Sequence, residues 1–597
     1  MIEDVRDRRL ALGATGALRT FNEAEVLNAA DVHVATRLGG LLGEAGDDVL
    51  LAAALAVRAV RAGSICVDLA TVSELPLEAQ TPEAGPLPWP EPAAWVAAVG
   101  RSPLVREEML RLVGSRLYLD RYWREEGQVC DDLVTRIHRT PPEVDEASLD
   151  VGLVRVFPHE GYDEQRAAAR AAATRWTTVL TGGPGTGKTT TVAGLLALVA
   201  EQHLKATGRM PRMALSAPTG KAAARLQEAV EEATEALEDP VDKERLAGLK
   251  SSTLHRLLGW RRDSRVRFRH HRANRLPYDV VVVDETSMVS LTMMARLLEA
   301  MRPDARLVLV GDPDQLASVE AGAVLADLVA GFEGSPDSPV SALGRPHRFG
   351  EHIGALAQAL RDGDADKVMA ELNAGSDEVE LVDPGDDAAM ASFRTRVADV
   401  AVELRLAGEA GDQTRSLSAL GRHRLLCAHR EGPYGVSGWN RQVERLVSDR
   451  TGLTHYDEWY AGRPILVTAN DYDQLLNNGD MGATVRLPDG RLRVVVQVGS
   501  VVREFATTRL SGVETVHAMT VHKSQGSQAH TVSVVLPDEE SRLLTRELFY
   551  TAVTRAQEKV RVVGTEAAIR AAVGREVQRA SGLGERLAER LAERLPH

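Results

Sequence analysis

The amino-acid sequence predicts an α/β protein: two parallel-sheet domains around a shared nucleotide cleft, with a helical amino-terminal region and a small all-β insertion. Three observations carry this. From Trp176 onward, apolar runs at Thr177–Leu180, Met213–Ser216, Val280–Val283 and Leu307–Val310 alternate with helical stretches. Each run ends in a polar or glycine-rich loop, the pattern of a parallel sheet with ligands at the carboxyl ends of its strands. Between the first run and a helix stands Gly182-Gly-Pro-Gly-Thr-Gly-Lys-Thr189, the spacing of a loop that wraps phosphates. Far downstream, Thr520-Val-His-Lys-Ser-Gln-Gly526 and Tyr550-Thr-Ala-Val-Thr-Arg-Ala556 belong to a second domain expected to close over the same nucleotide.

At 597 residues the chain is too long for one core. Residues 1–140 read as a helical domain, with periodic stretches at Asp47–Ala62 and Trp95–Val113. Prolines crowd residues 76–92 and demand an extended loop there. Arg139-Thr-Pro-Pro-Glu-Val-Asp-Glu-Ala147 marks a break before the first α/β domain, expected over 150–335 with a basic insertion at 259–278. The second α/β domain is expected over 336–455 and 514–575, with a strand at Arg424–Ala428. Between its two parts, residues 456–513 hold short strands at Pro464–Thr468, Ala483–Arg486, Leu492–Gln497 and Val501–Phe505, broken by Asn478-Gly-Asp480 and Pro488-Asp-Gly490. The tail, 576–597, sets Leu583, Leu587, Leu591 and Leu595 four apart, as in a helix lying on its neighbour.

Composition narrows the class. A net charge of −14 argues against nucleic-acid binding over the whole surface, though not against a local basic channel. Cys66, Cys130 and Cys427 stand apart without CxxC or Cys/His clustering, which argues against a disulfide framework or a zinc site. The sequence has no run of 18 apolar residues and its first residues lack the apolar core of a signal peptide, so a cytoplasmic protein is expected.

ATP with Mg²⁺ is the expected cofactor. Backbone N–H groups of Gly182, Gly183, Gly185, Thr186 and Gly187 form the expected cradle, with Pro184 part of the loop but not a donor, and the site runs on through Thr189 and Thr190. Lys188 would reach the β and γ oxygens, and Thr189 would offer its hydroxyl to the metal. Asp284, after the all-valine strand, would hold the metal shell, and Glu285 would orient or deprotonate the attacking water. Gln315, in Gly311-Asp-Pro-Asp-Gln315, could sense whether a γ-phosphate is present.

The order of these elements resembles the superfamily 1 helicases. Their wording narrows this to the RecD family, the alpha subunits of exodeoxyribonuclease V. The segments are Ser216-Ala-Pro-Thr-Gly-Lys-Ala-Ala-Ala-Arg225, Thr253-Leu-His-Arg-Leu-Leu-Gly259, Leu343-Gly-Arg-Pro-His-Arg-Phe349 and Cys427-Ala-His-Arg-Glu-Gly-Pro-Tyr-Gly435, then Gly462-Arg-Pro-Ile465, Asn478-Gly-Asp-Met-Gly482 and the two late segments already quoted. Leu117-Tyr-Leu-Asp-Arg-Tyr-Trp-Arg-Glu-Glu126 resembles the family's amino-terminal domain. The resemblance implies two RecA-like motor domains and an SH3-like insertion. It assigns Gln165 to adenine, and Arg348 and Arg555 to the γ-phosphate from the second domain. His347 stands where the family often has Tyr, and Asn477 where it tends to have Phe.

A motor needs a track. Residues 259–278 hold seven arginines, two histidines, Trp260, Phe268 and Tyr278 against the single acid Asp263, a composition suited to single-stranded nucleic acid or a duplex junction. By resemblance, Pro218, Thr219, Gly220, Lys221, Thr253 and His255 on the first domain, with Thr520, His522 and Lys523 on the second, contact DNA. The expected activity is an ATP-driven 5′→3′ single-strand DNA translocase and helicase, working with the beta and gamma subunits of a heterotrimeric helicase–nuclease on double-strand breaks. No nuclease or zinc constellation stands out, so cutting is assigned to another subunit. A free-standing RecD-like helicase, a structural subunit with weak ATPase and a P-loop switch are the alternatives.

Overall fold

Val280–Val283 is four valines buried on both faces, and it lies inside a six-stranded, wholly parallel sheet. The strand order is Val340–Leu343, Thr177–Gly182, Arg306–Gly311, Val280–Val283, Met213–Ala217 and Ser251–Thr253. Val281 and Val283 face one core, with helix Leu291–Ala300, while Val280 and Val282 face another, with helix Lys188–Thr207. A strand covered by helices on both sides has no reason to alternate with polar residues, hence the unbroken run. The structure is a computed structural model and describes residues 10–74, 87–261, 264–344, 350–454, 457–471, 473–498 and 501–593.

A second parallel sheet has the order Val379–Val382, Ala556–Val563, Ala529–Val535, His423–Cys427 and Ala518–Thr520. Inserted in its sequence is a five-stranded antiparallel sheet, ordered Val501–Ala506, Leu492–Val498, Met481–Arg486, Pro464–Val467 and Val513–Thr515. Its closing strand runs past residue 513 to Thr515. In the basic stretch, Trp260–Arg261 pairs with Ser264–Phe268 as an antiparallel hairpin. Among the described residues no helix is long and apolar enough to cross a membrane.

The amino-terminal region is helical but not wholly so. The expected helical stretch Trp95–Val113 ends early: a helix runs Pro92–Arg101, a short one Pro103–Arg106, and Leu110–Val113 is a strand. It pairs antiparallel with Arg116–Leu119 across a Gly114–Ser115 turn, where Gly114 has φ +58°. Cys66–Asp68 adds a third strand. Leu110-Arg-Leu-Val alternates with period two, and a two-residue turn with a glycine at positive φ follows; both fit a hairpin. Pro92 opens its helix at the first position, where a missing N–H costs nothing, and Glu91 caps it. Most of the proline-rich stretch, 75–86, lies outside the described residues.

The coil at 138–145 separates helices Asp120–Ile137 and Glu146–Val156, yet packing crosses it. Val129, Cys130, Leu133 and Val134 belong to the same core as the first sheet's Val281 and Leu307. The carboxy-terminal helix Leu583–Glu593 joins that core through Leu583, Leu587 and Leu591; Leu595 lies outside the described residues. Each buried leucine is worth about 1.5–3 kcal/mol. The tail therefore leaves the second sheet and fastens onto the first.

Candidate nucleotide and DNA site

Three adjacent strands of the first sheet deliver the first wall of the cleft. Thr181 is in register with Gly311, and Leu309 with Val283. The phosphate loop, Asp284–Glu285 and Asp312–Gln315 therefore emerge side by side. Gly185 and Gly187 have φ of +80° and +84°, which L side chains resist, and Gly187 leads directly into helix Lys188–Thr207. A Cβ at Gly182 would stand 2.8 Å from the Leu343 carbonyl. Lys188 Nζ donates to the Gly182 and Gly183 carbonyls at 2.6 and 2.9 Å, folded onto the loop it would leave for phosphate. Burial pulls its ammonium below the usual lysine range, opposed by Asp312, Asp284 and Glu285.

Asp284 is pushed up to about 6 by burial and by the neighbouring Glu285 carboxylate. Glu285 holds φ +51°, a left-handed conformation uncommon for a non-glycine residue. Asp284 is the carboxylate at the end of its strand that could hold a divalent cation, and Thr189, half-buried at the start of helix Lys188–Thr207, is the hydroxyl that could join it. Gln165 is buried and donates through Nε2 to the Thr186 carbonyl at 3.3 Å, beside the cradle.

The second wall reaches across from the other sheet. Arg555 is buried and donates through Nη2 to Gln315 Oε1 at 2.9 Å, while Gln315 Nε2 donates to Asp312 Oδ2 at 2.9 Å. Tyr550 donates its hydroxyl to the same Asp312 Oδ2 at 3.0 Å and accepts from Arg361 Nη2 at 2.8 Å. Burial and Asp312 hold the Tyr550 hydroxyl well above its usual range, so it stays a donor. Thr551 Oγ1 accepts from the Leu316 N–H at 2.9 Å, and Gln525 donates to the Leu316 carbonyl at 2.9 Å. Arg348 and His347 lie outside the described residues.

The DNA candidates gather at one side of each sheet. Pro218 to Lys221 follow strand Met213–Ala217, and Thr253 and His255 sit at its neighbour, with Ala217 in register with Thr253. Thr520, His522 and Lys523 follow the edge strand of the second sheet. Thr219, Thr253 and Thr520 each cap a helix, accepting from the N–H of Ala222, Arg256 and Lys523 at 3.2, 3.2 and 3.4 Å. Lys221 donates to the Gly479 carbonyl of the inserted sheet at 3.1 Å, and burial pushes its ammonium down to about 7. A Cβ at Gly220 would collide with Asn477, so the inserted sheet rests on the start of that helix. Lys523 pairs with Glu514 at 2.8 Å, and burial lowers both His255 and His522. Trp260 stands 40% exposed on its hairpin.

Residues 165–321 match an AAA domain, and residues 515–563 match the UvrD-like helicase C-terminal domain. Residues 23–118 match the N-terminal domain of the RecBCD enzyme subunit RecD. The RecBCD enzyme subunit RecD of Mycolicibacterium smegmatis is 58% identical over 94% of this chain and 98% of its own length. The chain belongs to the RecD family. A second RecD, from Mycobacterium tuberculosis, is 55% identical over 97% of this chain and 98% of its own. The Pif1 helicase of Candida albicans overlays 68% of the chain and 96% of its own, at 16% identity and a TM-score of 0.37. This RecD-family chain is an ATP-dependent DNA helicase.

Three residues of the family cleft carried no role from the sequence. Asp312 joins Gln315 to Tyr550, Tyr550 joins the two walls, and Arg361 touches the phosphate loop. Tyr550 carries one signal: a phenol next to Leu548 and Phe549 on its helix needs a partner for its hydroxyl when buried.

Proposed function

We propose that the cleft hydrolyses ATP only when its two walls meet, and that this drives 5′→3′ translocation along single-stranded DNA. The observation that carries the reading is the chain Arg555–Gln315–Asp312, which joins an arginine of one sheet to the γ-phosphate-sensing loop of the other. Lys188 would leave its loop carbonyls for the phosphates. Glu285 would take the proton of the attacking water, and Arg555 with Arg348 would offset charge on the transferring phosphoryl group. Thr189 and Asp284 would hold Mg²⁺, which when bound neutralises charge on the β and γ oxygens. Hydrolysis lets the walls part, and the DNA-facing edges at residues 218–221, 253–255 and 520–523 move with them. The Trp260 hairpin, with Arg261, Arg267 and Arg269, supplies a basic, aromatic surface for the strand or the duplex junction.

On this reading the chain is the motor of a heterotrimer with the beta and gamma subunits of exodeoxyribonuclease V, acting in the cytoplasm on double-strand breaks, with cutting done elsewhere in the complex. Residues 1–140 are the proposed docking region, resting on the likeness of residues 23–118 to the RecD N-terminal domain. Within it Tyr118 is buried, and Trp123 packs against the guanidinium groups of Arg111 and Arg586, each 4.6 Å from its ring centroid, so these large aromatics are spent on internal packing. Because helix Asp120–Ile137 belongs to the first sheet's core, docking is better tested by surface changes at Leu12 and Leu41 than by deletion. The test of function is unwinding of tailed duplexes by the co-purified assembly. The expected result is ATP-dependent opening from a 5′ tail; opening only from a 3′ tail would reverse the polarity.

A further inference from the structure

Helix Glu351–Asp362 belongs to the second half of the cleft, and Arg361 sits in its last turn. A cation there would ordinarily only complement the helix dipole. This one crosses the cleft instead. A Cβ placed on Gly183, in the phosphate loop, would stand 2.7 Å from Arg361 Nη2 and 3.1 Å from the Tyr550 hydroxyl. Arg361 Nη2 donates to that hydroxyl at 2.8 Å, and the guanidinium lies 5.6 Å from the Tyr550 ring centroid. Its Nε is 2.8 Å from Asp314 Oδ2, an ion pair whose angle leaves the buried Nε–H without a hydrogen bond. Asp312, the acceptor of the Tyr550 hydroxyl, supplies a second nearby negative charge.

We propose that Arg361 is a positioning residue that clamps the phosphate loop from the second wall and receives the nucleotide's phosphates in the ground state. A guanidinium has five donors in a planar fork, and phosphate oxygens satisfy that fork better than one carboxylate at a poor angle. In this structure the Tyr550 hydroxyl holds the group where it can reach a triphosphate, while Asp314 competes with the phosphates for its charge. Gly183 has no side chain to block the approach. The role differs from that of Arg555, which rests on Gln315 and acts where charge develops. Arg361 acts on what is already bound, so the two should separate in kinetics.

The inference rests on the ATPase reading, and the experiment keeps the two apart. Full-length Arg361→Ala and Arg361→Lys are compared with wild type and Lys188→Ala for ATP turnover, for affinity toward a non-hydrolysable ATP analogue, and for thermal melting. Losing a charged hydrogen bond to bound phosphate should raise KM and the analogue Kd roughly tenfold or more, with kcat within about threefold. Arg361→Lys should recover part of the affinity. Asp314→Asn removes the competing carboxylate and should tighten the analogue by about two- to fivefold. Unchanged KM in a folded Arg361→Ala protein, or an Arg361→Lys protein no better than alanine, would overturn the proposal. If Arg361→Ala does not fold, Asp314→Asn decides: tighter binding supports the clamp, and unchanged or weaker binding overturns it. Undiminished turnover by Lys188→Ala would instead sink the nucleotide reading itself.

Discussion

The two walls of the cleft are made of different material. The first is backbone and side chains at the ends of three adjacent strands, each motif contiguous in sequence and fixed by the register of one sheet. The second, among the described residues, is made of side chains, Arg361, Tyr550 and Arg555, carried by two helices and the residue before a strand, which meet the first wall at Asp314, Asp312 and Gln315. A wall of rigid backbone can bind phosphate by itself. A wall of reaching side chains contributes only when the two halves approach. On the proposed reading the division places coupling: the phosphate cradle belongs to one sheet, with Arg361 reaching over to it, and turnover to the contact that Arg555 makes between the two.

The comparison breaks most visibly on the first wall. Lys188→Ala should lower DNA-stimulated turnover by about a hundredfold to a thousandfold, and Glu285→Gln by a similar factor, with melting temperature nearly kept. Near-normal turnover by a folded Glu285→Gln protein would remove that residue from the role of base. Tyr550→Phe sharpens the comparison from the other side. It deletes the hydroxyl that links Arg361 to Asp312 and keeps the ring in its core. A fall of about five- to thirtyfold in kcat/KM is expected, and wild-type kinetics would mean the bridge is only packing.

The smallest effect belongs to the tail that fastens the second sheet to the first. Glu126 accepts from the Gly582 N–H at 3.0 Å and the Ser581 hydroxyl at 3.3 Å, near Arg586 and Asp327. Burial pushes its carboxyl up to about 7. A carboxyl raised in the folded state binds its proton more tightly there than in the unfolded chain. Its contribution is therefore complete below the ordinary glutamate range and fades as pH rises through about 7. Glu126→Gln should gain about 1–3 °C in melting temperature over wild type at pH 8, measured by thermal scan, and little at pH 5. An equal gain at both would show that ionisation is not the cause.

Much of this architecture was legible in the residues. The four strands of the first sheet read from Thr177 to Val310 all form, because valine- and leucine-rich runs ending in glycine or acid can hardly be anything else in an α/β chain. The helical period expected through Val113 misses the strand Leu110–Val113, because four residues after a real helix carry too little pattern; the Gly114–Ser115 turn is the signal that marks it. Helix Asp120–Ile137 precedes a proline pair that marks a break in the sequence, while the core it joins draws on both the amino-terminal region and the first sheet. In the cleft, the proposed phosphate loop announces itself since its glycine spacing is contiguous in sequence. Arg361 does not, since an arginine near a helix end is ordinary until the opposing loop is in view. Thr219, Thr253 and Thr520 cap helices as well as facing the proposed track, and sequence could not separate the two uses.

The central proposal is that the two arginines of the second wall divide the work: turnover depends on Arg555, while nucleotide binding rests on the first wall with Arg361 and not on Arg555. It is tested most directly by Arg555→Ala in the full-length chain, measuring affinity for a non-hydrolysable ATP analogue beside DNA-stimulated kcat. The account predicts affinity within about threefold of wild type and a kcat lower by about a hundredfold or more. A large loss of affinity with unchanged kcat would contradict it, leaving Arg555 as a holder of ground-state phosphate and the cleft without a coupling device.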